Sequence, residues 1–391
     1  MPVFRRALHL GLLPVLAALT ISTTAGAQTR LAPVMPASSP GTLISADPVV
    51  DTPGGMQAWR IAYWTSDEDG RAQQVTGMVI APREAIPATP RQVIAWTHGS
   101  WGVAQKCAPS LSTNFFEATP ALADMIRRGY TVAAPDYPGL GTAQPHPFLV
   151  GGDTARSVLD AVRAARLIPG AAAGTTFAIW GESQGGHAAL WTAIEARRYA
   201  PEISLVGTAA AAPPTDLPAN LRLASEPNIR AMFIAFATYS WSQRFGAPLS
   251  TLFNRTNQGV ATRLAQNNCI SLGGTPRLGT ILGVASMRRA LKGKDVGTIP
   301  PWSGIAQRNS VDPRRVPGPL LIAQAADDPL VASSVTRAFV AQRCRTGLPL
   351  RWVPIPGGDH ANSARNSAEV TLGWIADRFA GKSAPSDCGK L

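Results

Sequence analysis

The chain has 391 residues, of which 45% are hydrophobic and 15% are charged, and its net charge is +12. This length permits one large or two modest domains, and this composition excludes an intrinsically disordered protein. The arginines occur singly or in pairs, without a basic run that interleaves aromatic residues, which argues against nucleic acid as a partner. The charge predicts at most a weak attraction to anionic cell envelopes or substrates.

Residues 1–27 have the pattern of a secretory signal peptide. An arginine pair precedes an apolar run over residues 8–21, and small residues at 25–27 form a cleavage site. The run is too short, and too interrupted by glycine and proline, for a stable membrane span. We therefore expect cleavage near Ala27 and export of a mature chain of residues 28–391, to the periplasm or the medium.

The four cysteines all lie after this segment, and their spacing contains no C-x-x-C pair of the kind found in zinc or redox sites. An even number of cysteines in an exported protein predicts two disulfides. Of the three possible pairings we favour the one with the local bond Cys344–Cys388, which leaves Cys107 with Cys269. The alternative is four buried free thiols.

The chain is predicted to open with an arm over residues 28–45, which a pair of antiparallel strands follows. Beyond that pair, strands and helices alternate, which predicts an α/β fold with a mostly parallel sheet and helices on both faces. We place Asp153 or Thr154 at the N-cap of one helix. The predicted strands cover residues 56–65, 73–81, 93–97, 130–135, 177–180 and 203–212, and the predicted helices cover 118–128, 155–167 and 187–197.

The pattern changes over residues 215–316, where aromatic residues occur in helical pieces separated by proline and glycine. We interpret this segment as a cap inserted over the sheet, whose aromatic residues form the core of the cap in preference to contacting substrate. The alternation then returns. Strands are predicted over 319–325 and 350–355, and helices over 333–343 and 369–379.

Residues 181–185, Gly-Glu-Ser-Gln-Gly, match the G-x-S-x-G nucleophile elbow between a strand and a helix. The elbow places a serine hydroxyl above the end of a strand, so we assign Ser183 as the nucleophile. Gly181 and Gly185 flank this serine where strand and helix pass too close for a Cβ atom.

A serine hydroxyl becomes a strong nucleophile when a base removes its proton and a carboxylate orients that base. We assign His360 as the base because it follows the last strand, in the order Ser…Asp…His of an α/β-hydrolase. Of the other histidines, His146 precedes the serine in a proline-rich loop, and His187, one turn into the elbow helix, is typical of a packing residue. We expect His98 to shape the oxyanion loop and not to act as the base. For the acid we choose Asp328 over its neighbour Asp327, because Asp328 begins an Asp-x-x-Val arrangement that ends at Val331.

The strand over 93–97 ends in a glycine-rich loop, residues 98–102. An acyl-transfer enzyme of this kind places a backbone N–H there, aimed at the developing oxyanion. We assign the oxyanion hole to the amides of Ser100 and Gln184, the latter directly after the nucleophile. The alternative for the loop is an ordinary strand-to-loop turn.

Together these motifs resemble the secretory lipase family of α/β-hydrolases, the fungal lipase A type with its bacterial relatives. The likeness covers residues 42–388 and rests on the elbow at 181–186, the loop at 98–102 leading into Cys-Ala-Pro-Ser at 107–110, the turn at 136–139, the Asp328-x-x-Val331 acid and the Asp359-His360 pair. It implies a cap between the elbow and the acid, and the disulfides Cys107–Cys269 and Cys344–Cys388. Glu182 departs from the family pattern, and the cap is too dissimilar to transfer any acyl-pocket residue.

We therefore predict a secreted serine ester hydrolase, a lipase or carboxylesterase, that acts through Ser183, Asp328 and His360. It requires no metal or organic cofactor, its substrate is a small-molecule or lipid ester, and we expect a monomer that contacts lipid interfaces transiently. The alternatives are an exported peptidase or amidase on the same scaffold, since a triad does not choose ester over amide, and an acyltransferase. The complete triad argues against a catalytically inactive envelope-binding protein.

Overall fold

The computed structural model describes residues 38–270, 276–357 and 359–391. The predicted signal peptide lies outside these residues. The strands are β1 (Leu43–Pro48), β2 (Met56–Ser66), β3 (Ala72–Pro82), β4 (Arg91–Thr97), β5 (Thr131–Pro135), β6 (Ala173–Glu182), β7 (Ser204–Ala211), β8 (Leu320–Ala325) and β9 (Leu350–Ile355).

Some of the helices pack against the sheet, and the others form a separate helical segment between β7 and β8. They are α1 (Phe115–Ala118), α2 (Leu122–Arg127), α3 (Gly151–Ala165), α4 (Gln184–Tyr199), α5 (Leu217–Leu223), α6 (Pro227–Phe245), α7 (Arg255–Asn267), α8 (Leu278–Ala290), α9 (Trp302–Arg308), α10 (Ser333–Cys344), α11 (Ser363–Asn366) and α12 (Ala368–Phe379).

In the part of the chain that the structure describes, the strands form one sheet in the order β1-β2-β3-β5-β4-β6-β7-β8-β9. The first three strands and the β3–β5 pair are antiparallel, and the remaining pairs are parallel. Every residue of β5 and β8 is buried, because α3, α4 and α10 cover one face and α2 and α12 cover the other. The predicted α/β class is confirmed.

Three local predictions differ from the structure. Of the helix predicted over 118–128, only α2 forms, because the preceding helix α1 ends at Ala118, Pro120 follows it and Ala121 has a φ of 51°. The arm predicted over residues 28–45 overlaps an edge strand, because β1 begins at Leu43 and pairs with β2. Neither Asp153 nor Thr154 is an N-cap, because α3 begins at Gly151 and the Asp153 carboxylate binds Arg244 instead.

The segment predicted as a cap contains α5 to α9, and we propose that it is an insertion in one catalytic domain. Its core is built around buried Phe236, Trp241 and Trp302. The same cluster includes Phe148 and Val150, which precede α3 and belong to the sheet half of the chain. The segment therefore shares its hydrophobic core with the scaffold beneath it. No helix among the described residues is long and apolar enough to cross a membrane.

Two disulfides join distant parts of the chain, Cys107 to Cys269 and Cys344 to Cys388. The first connects the loop after β4 to the segment after α7. The second connects the end of α10 to the C-terminal residues. These are the two pairs named from the sequence.

Candidate active site

Ser183 lies between β6 and α4 with a φ of 55° and a ψ of −121°, a conformation that costs a residue with a side chain about 1–3 kcal/mol. The two flanking glycines permit this turn. A Cβ on Gly181 would lie 2.0 Å from Thr97 Oγ1, and one on Gly185 would lie 1.9 Å from Thr97 O. The sequence thus allows β6 and α4 to approach β4 closely enough to hold the serine at the apex.

The imidazole of His360 lies between Ser183 and Asp328. Its Nε2 is 2.8 Å from Ser183 Oγ, and its Nδ1 is 2.7 Å from Asp328 Oδ2. His360 follows β9 and Asp328 follows β8, so the carboxyl ends of neighbouring strands bring the groups together. Asp327, the alternative acid, is exposed to solvent, whereas Asp328 is buried.

Asp328 is held by the chain that follows it. Its Oδ1 accepts hydrogen bonds from the amides of Leu330, at 2.8 Å, and Val331, at 2.9 Å. The side-chain amide of Gln324 donates to Oδ2 at 3.0 Å. The Asp-x-x-Val spacing therefore has a physical basis, since it forms the turn that fixes the carboxylate, while Gln324 was not identified from the sequence.

The histidines at positions 98, 146 and 187 are buried away from the hydroxyl of the nucleophile. Burial lowers the pKa of His98 and His187 to about 4 and that of His146 to about 3. His98 Nδ1 lies 2.6 Å from the carbonyl of Gly99 and its Nε2 lies 3.2 Å from that of Asp136, and the neutral ring donates to one of the two. His187 Nε2 donates to the carbonyl of Asn309 at 2.7 Å. These three rings are neutral at pH 7 and have structural partners.

A chain of hydrogen bonds links the predicted oxyanion loop to the elbow, and we call it the Ser100 relay. Ser100 Oγ donates to Gln184 Oε1 at 3.0 Å, and Gln184 Nε2 lies 3.0 Å from His146 Nε2. His146 Nδ1 lies 2.8 Å from the carbonyl of Pro138. Since a carbonyl only accepts, Nδ1 carries the proton and Nε2 accepts from Gln184. From the sequence His146 was set aside as the base because it precedes the serine, and its contact with Gln184 was not predicted.

Glu182, beside the nucleophile, connects the elbow to the segment that carries the histidine. Its Oε1 accepts a hydrogen bond from the amide of Ala364 at 2.7 Å. Burial raises the pKa of Glu182 to about 7, an effect opposed by that hydrogen bond and by the nearby His360 and Arg365. This side chain occupies the variable position of the elbow, where the motif specifies no residue.

A cavity that is open to solvent lies over these groups. Ser183, His360, Ser100 and Gln184 form its polar end. Most of the remaining lining is apolar and comes largely from α5, α6 and the loops beside them: Phe148, Leu149, Pro214, Leu217, Leu221, Ala224, Phe233, Trp241, Leu330 and Val331. Within the described residues, no group of three or more His, Cys, Asp or Glu is placed to hold a metal ion.

Comparison with known proteins assigns the family. The model of the secretory lipase family matches residues 110–387. The chain belongs to the secretory lipase family. The resemblance inferred from its motifs is thus confirmed, and this secretory lipase is a carboxylic ester hydrolase whose family indicates a lipid ester as substrate.

Relatives of this secretory lipase come from fungi and bacteria. Lipase 4 of Candida albicans is 24% identical over 354 residues, which are 85% of this chain and 75% of that protein. A probable inactive lipase of Mycobacterium tuberculosis is 24% identical over 358 residues, 84% of this chain and 75% of that protein. The crystal structure of Candida antarctica lipase A has a TM-score of 0.70 at 20% identity, covering 90% of this chain and 84% of that one. This likeness shows the α/β-hydrolase fold.

Proposed function

We propose that this secretory lipase is an exported serine ester hydrolase that forms an acyl-enzyme on Ser183, with His360 as the base and Asp328 as the group that orients it. One observation carries the proposal. The two nitrogens of His360 lie 2.8 Å from the Ser183 hydroxyl and 2.7 Å from the Asp328 carboxylate. This is the hydrogen-bonded order that activates a serine.

In the first half of the reaction, Ser183 Oγ attacks the ester carbonyl while His360 Nε2 takes the hydroxyl proton. The Asp328 carboxylate accepts the Nδ1–H of the imidazole and stabilises the imidazolium that forms. The tetrahedral intermediate then collapses, and His360 donates the proton to the departing alcohol. In the second half, His360 deprotonates water, which attacks the acyl carbon. His360 then returns the proton to Ser183 Oγ as the acid leaves.

The oxyanion is held by the backbone amides of Ser100 and Gln184. Two features support this assignment: both residues line the cavity beside Ser183, and the hydrogen bond between their side chains holds the loop against the elbow. Because the Ser100 hydroxyl donates to Gln184, the backbone N–H of Ser100 is the group available for the substrate. One such donor is worth about 10²–10³ in rate.

The apolar part of the cavity binds the acyl chain of the ester. Its aliphatic and aromatic walls bury hydrocarbon and offer few hydrogen-bond partners to a peptide. The two disulfides and the signal sequence over residues 1–27 support export, with a mature chain beginning near Gln28. We propose that the exported protein is a monomer that contacts lipid interfaces.

The test compares the mature wild type with Ser183→Ala on p-nitrophenyl esters from acetate to palmitate. We expect turnover by the wild type and a loss of at least about 10³-fold in the variant, since the nucleophile is gone. Labelling of the wild type by a fluorophosphonate, and absence of label on Ser183→Ala, would place the acyl-enzyme on this residue.

Equal activity in the two proteins, or none in either, would show that Ser183 is not the nucleophile or that the substrate is not an ester of this series. Aminoacyl anilides serve as the parallel substrate, because cleavage of the anilides alone would indicate an amidase. N-terminal sequencing of the exported protein tests the cleavage site. The mature chain is expected to begin near Gln28.

A further inference from the structure

The helical segment over residues 215–316 carries most of the net positive charge of the protein. It contains thirteen arginines and lysines and four acidic residues, a net charge of +9 out of the +12 of the whole chain. Two of the acidic residues cap helices, because Asp216 accepts from Ala219 and Glu226 from Asn228. The other two, at 295 and 312, pair with arginines of the same segment. Arg244 pairs outside the segment, with Asp69 and Asp153 of the sheet half. The charge of this segment is therefore concentrated, and only part of it is compensated by these pairs.

One helix of this segment, α8, presents apolar side chains to solvent beside its cations. Leu278, Ile281 and Leu282 are 71%, 52% and 62% exposed. Their spacing places them on one face of the helix, and Arg288 and Arg289 lie on the same face about two turns further along. We call these five residues the α8 surface.

The opposite face of α8 is packed against the neighbouring helices, so the exposed face has a fixed orientation. Met287 is fully buried, and Gly283 lies against the side chain of Leu264 on α7. Ser286 Oγ donates to Asn257 Oδ1 at 3.0 Å. The apolar side chains at 278, 281 and 282 are thus held away from the core that would otherwise bury them.

The α8 surface leads to the opening of the substrate cavity. Arg288 Nη1 donates to Asn228 Oδ1 at 3.1 Å, on the first turn of α6. The next residue, Ile229, is 36% exposed, and Arg230 lines the cavity. Leu223, at the end of α5, is also exposed, close in sequence to the cavity residues Leu221 and Ala224. Apolar and cationic side chains therefore continue from α8 to the rim of the site.

We propose that the α8 surface docks this enzyme on an anionic phospholipid surface, with the cavity opening toward the lipid. Apolar side chains enter the boundary between headgroups and acyl chains, while the cations attract anionic headgroups. The charge of the segment decides between this occupant and a second copy of the chain, since two copies would bring two surfaces of equal positive charge together. This inference rests on the proposed function, since docking would bring the site to its ester substrate. Lipid binding can nevertheless be measured without any hydrolysis.

The test measures sedimentation of the mature protein with vesicles of ether-linked phospholipids, which contain no ester bond to hydrolyse. The vesicles are phosphatidylcholine alone or with 30 mol% phosphatidylglycerol, at low and at high salt. We expect binding to the anionic vesicles that weakens as salt rises. The triple variant Leu278→Ser, Ile281→Ser, Leu282→Ser is expected to bind about tenfold or more weakly. Arg288→Gln with Arg289→Gln, which removes the two cations of the α8 surface, is expected to remove most of the preference for anionic lipid.

A matched control triple, Val50→Ser, Leu111→Ser and Leu167→Ser, removes equally exposed apolar side chains elsewhere and should bind as the wild type does. All variants should hydrolyse soluble p-nitrophenyl butyrate at the wild-type rate. Absence of this activity in the wild type itself would contradict the proposed function and not the docking. Absence of wild-type binding, equal binding to neutral vesicles, or equal loss in both triples would overturn the proposal. A dimer in sedimentation velocity that the α8 triple dissolves, without vesicle binding, would assign the surface to a second copy instead.

Discussion

His146 is buried and contacts the elbow through the side-chain amide of Gln184. Replacing it with phenylalanine removes both the acceptor for the Gln184 amide and the donor to the Pro138 carbonyl. Gln184 is then free to turn away from Ser100, and the oxyanion loop loses its link to the elbow. We expect kcat on p-nitrophenyl butyrate to fall about tenfold or more with KM within about twofold, because the loss affects the transition state.

The control is His187→Phe, which removes another buried, neutral histidine close to the elbow. His187 bonds the carbonyl of Asn309 and has no part in the Ser100 relay. This variant should be less stable and retain its kcat once folded. Equal losses of kcat in the two variants would show that His146 has only a packing role.

The carboxyl of Glu182 makes the stability of the protein depend on pH. Burial raises its pKa from 4.5 to about 7, so the folded state keeps this proton to a higher pH than the unfolded chain does. Between those values the folded state binds more protons, and the free energy of unfolding therefore falls as pH rises. We expect Glu182→Gln, which can still accept from Ala364, to be more stable than the wild type at pH 8 by about 1–3 kcal/mol.

Urea unfolding of both proteins at pH 4.5 and pH 8 measures this difference. At pH 4.5 the two should be nearly equal in stability, because both side chains are then uncharged. Glu369→Gln, a change at an exposed position on α12, should follow the wild type at both pH values. A pH dependence that is the same in Glu182→Gln as in the wild type would contradict the assignment.

At the scale of elements, the contact between β4, β6 and α4 depends on the glycines of the elbow. Gly185→Ala would place a Cβ 1.9 Å from the carbonyl oxygen of Thr97, and Gly186→Ala would place one 3.0 Å from that of Ala211. The first clash requires the strands or the helix to move. We expect Gly185→Ala to cost more than about 3 kcal/mol and Gly186→Ala about 1–2 kcal/mol.

Thermal unfolding of the two variants ranks them, and Gly279→Ala on α8 is the control. A Cβ at Gly279 meets no atom within 4 Å, so that variant should be neutral or more stable by about 0.5–1 kcal/mol. Equal stability of Gly185→Ala and Gly279→Ala would show that the elbow can accommodate a Cβ at residue 185, contrary to the contact with Thr97.

The elements that could be predicted from the sequence are those whose signal is local. β5 and β8 are mostly apolar because both faces of the sheet are covered, and the elbow requires its glycines at fixed spacing. The helix predicted over 118–128 was wrong because a proline outweighs the apolar periodicity around it. Edge strand β1 was missed because it is short and only half-buried, so it has no clear alternation.

The side chains that support the site could not be predicted in the same way. Gln324 contacts Asp328 within four residues, but its role depends on the turn that the structure forms. Gln184 and His146 are 38 residues apart, and Glu182 and Ala364 are 182 apart. Such pairs meet only because the sheet brings the ends of its strands together. A single sequence contains no local pattern for them.

At the scale of the whole molecule, ion pairs join the helical segment to the sheet half. Arg244 on α6 donates from Nε to Asp153 Oδ2 on α3 at 2.7 Å, and from Nη1 to Asp69 Oδ2 at 3.0 Å. Asp153 is fully buried and also accepts from the amide of Glu68. Together with the Cys107–Cys269 bond and the shared core around Phe148, this cluster makes the segment part of one cooperative unit.

Arg244→Met should therefore destabilise the entire protein, because it leaves the buried carboxylate of Asp153 without its cation. We expect a loss of about 3 kcal/mol in urea unfolding, still in a single transition followed by both tryptophan fluorescence and circular dichroism. Adding Asp153→Asn should recover most of the loss, since the uncompensated charge is then gone. Arg314→Met breaks an exposed pair with Asp312 in the same segment and should leave the stability nearly unchanged. If Arg244→Met instead unfolds in two separate steps, the helical segment is a domain of its own, and the insertion shares less of its stability with the sheet than the common core indicates.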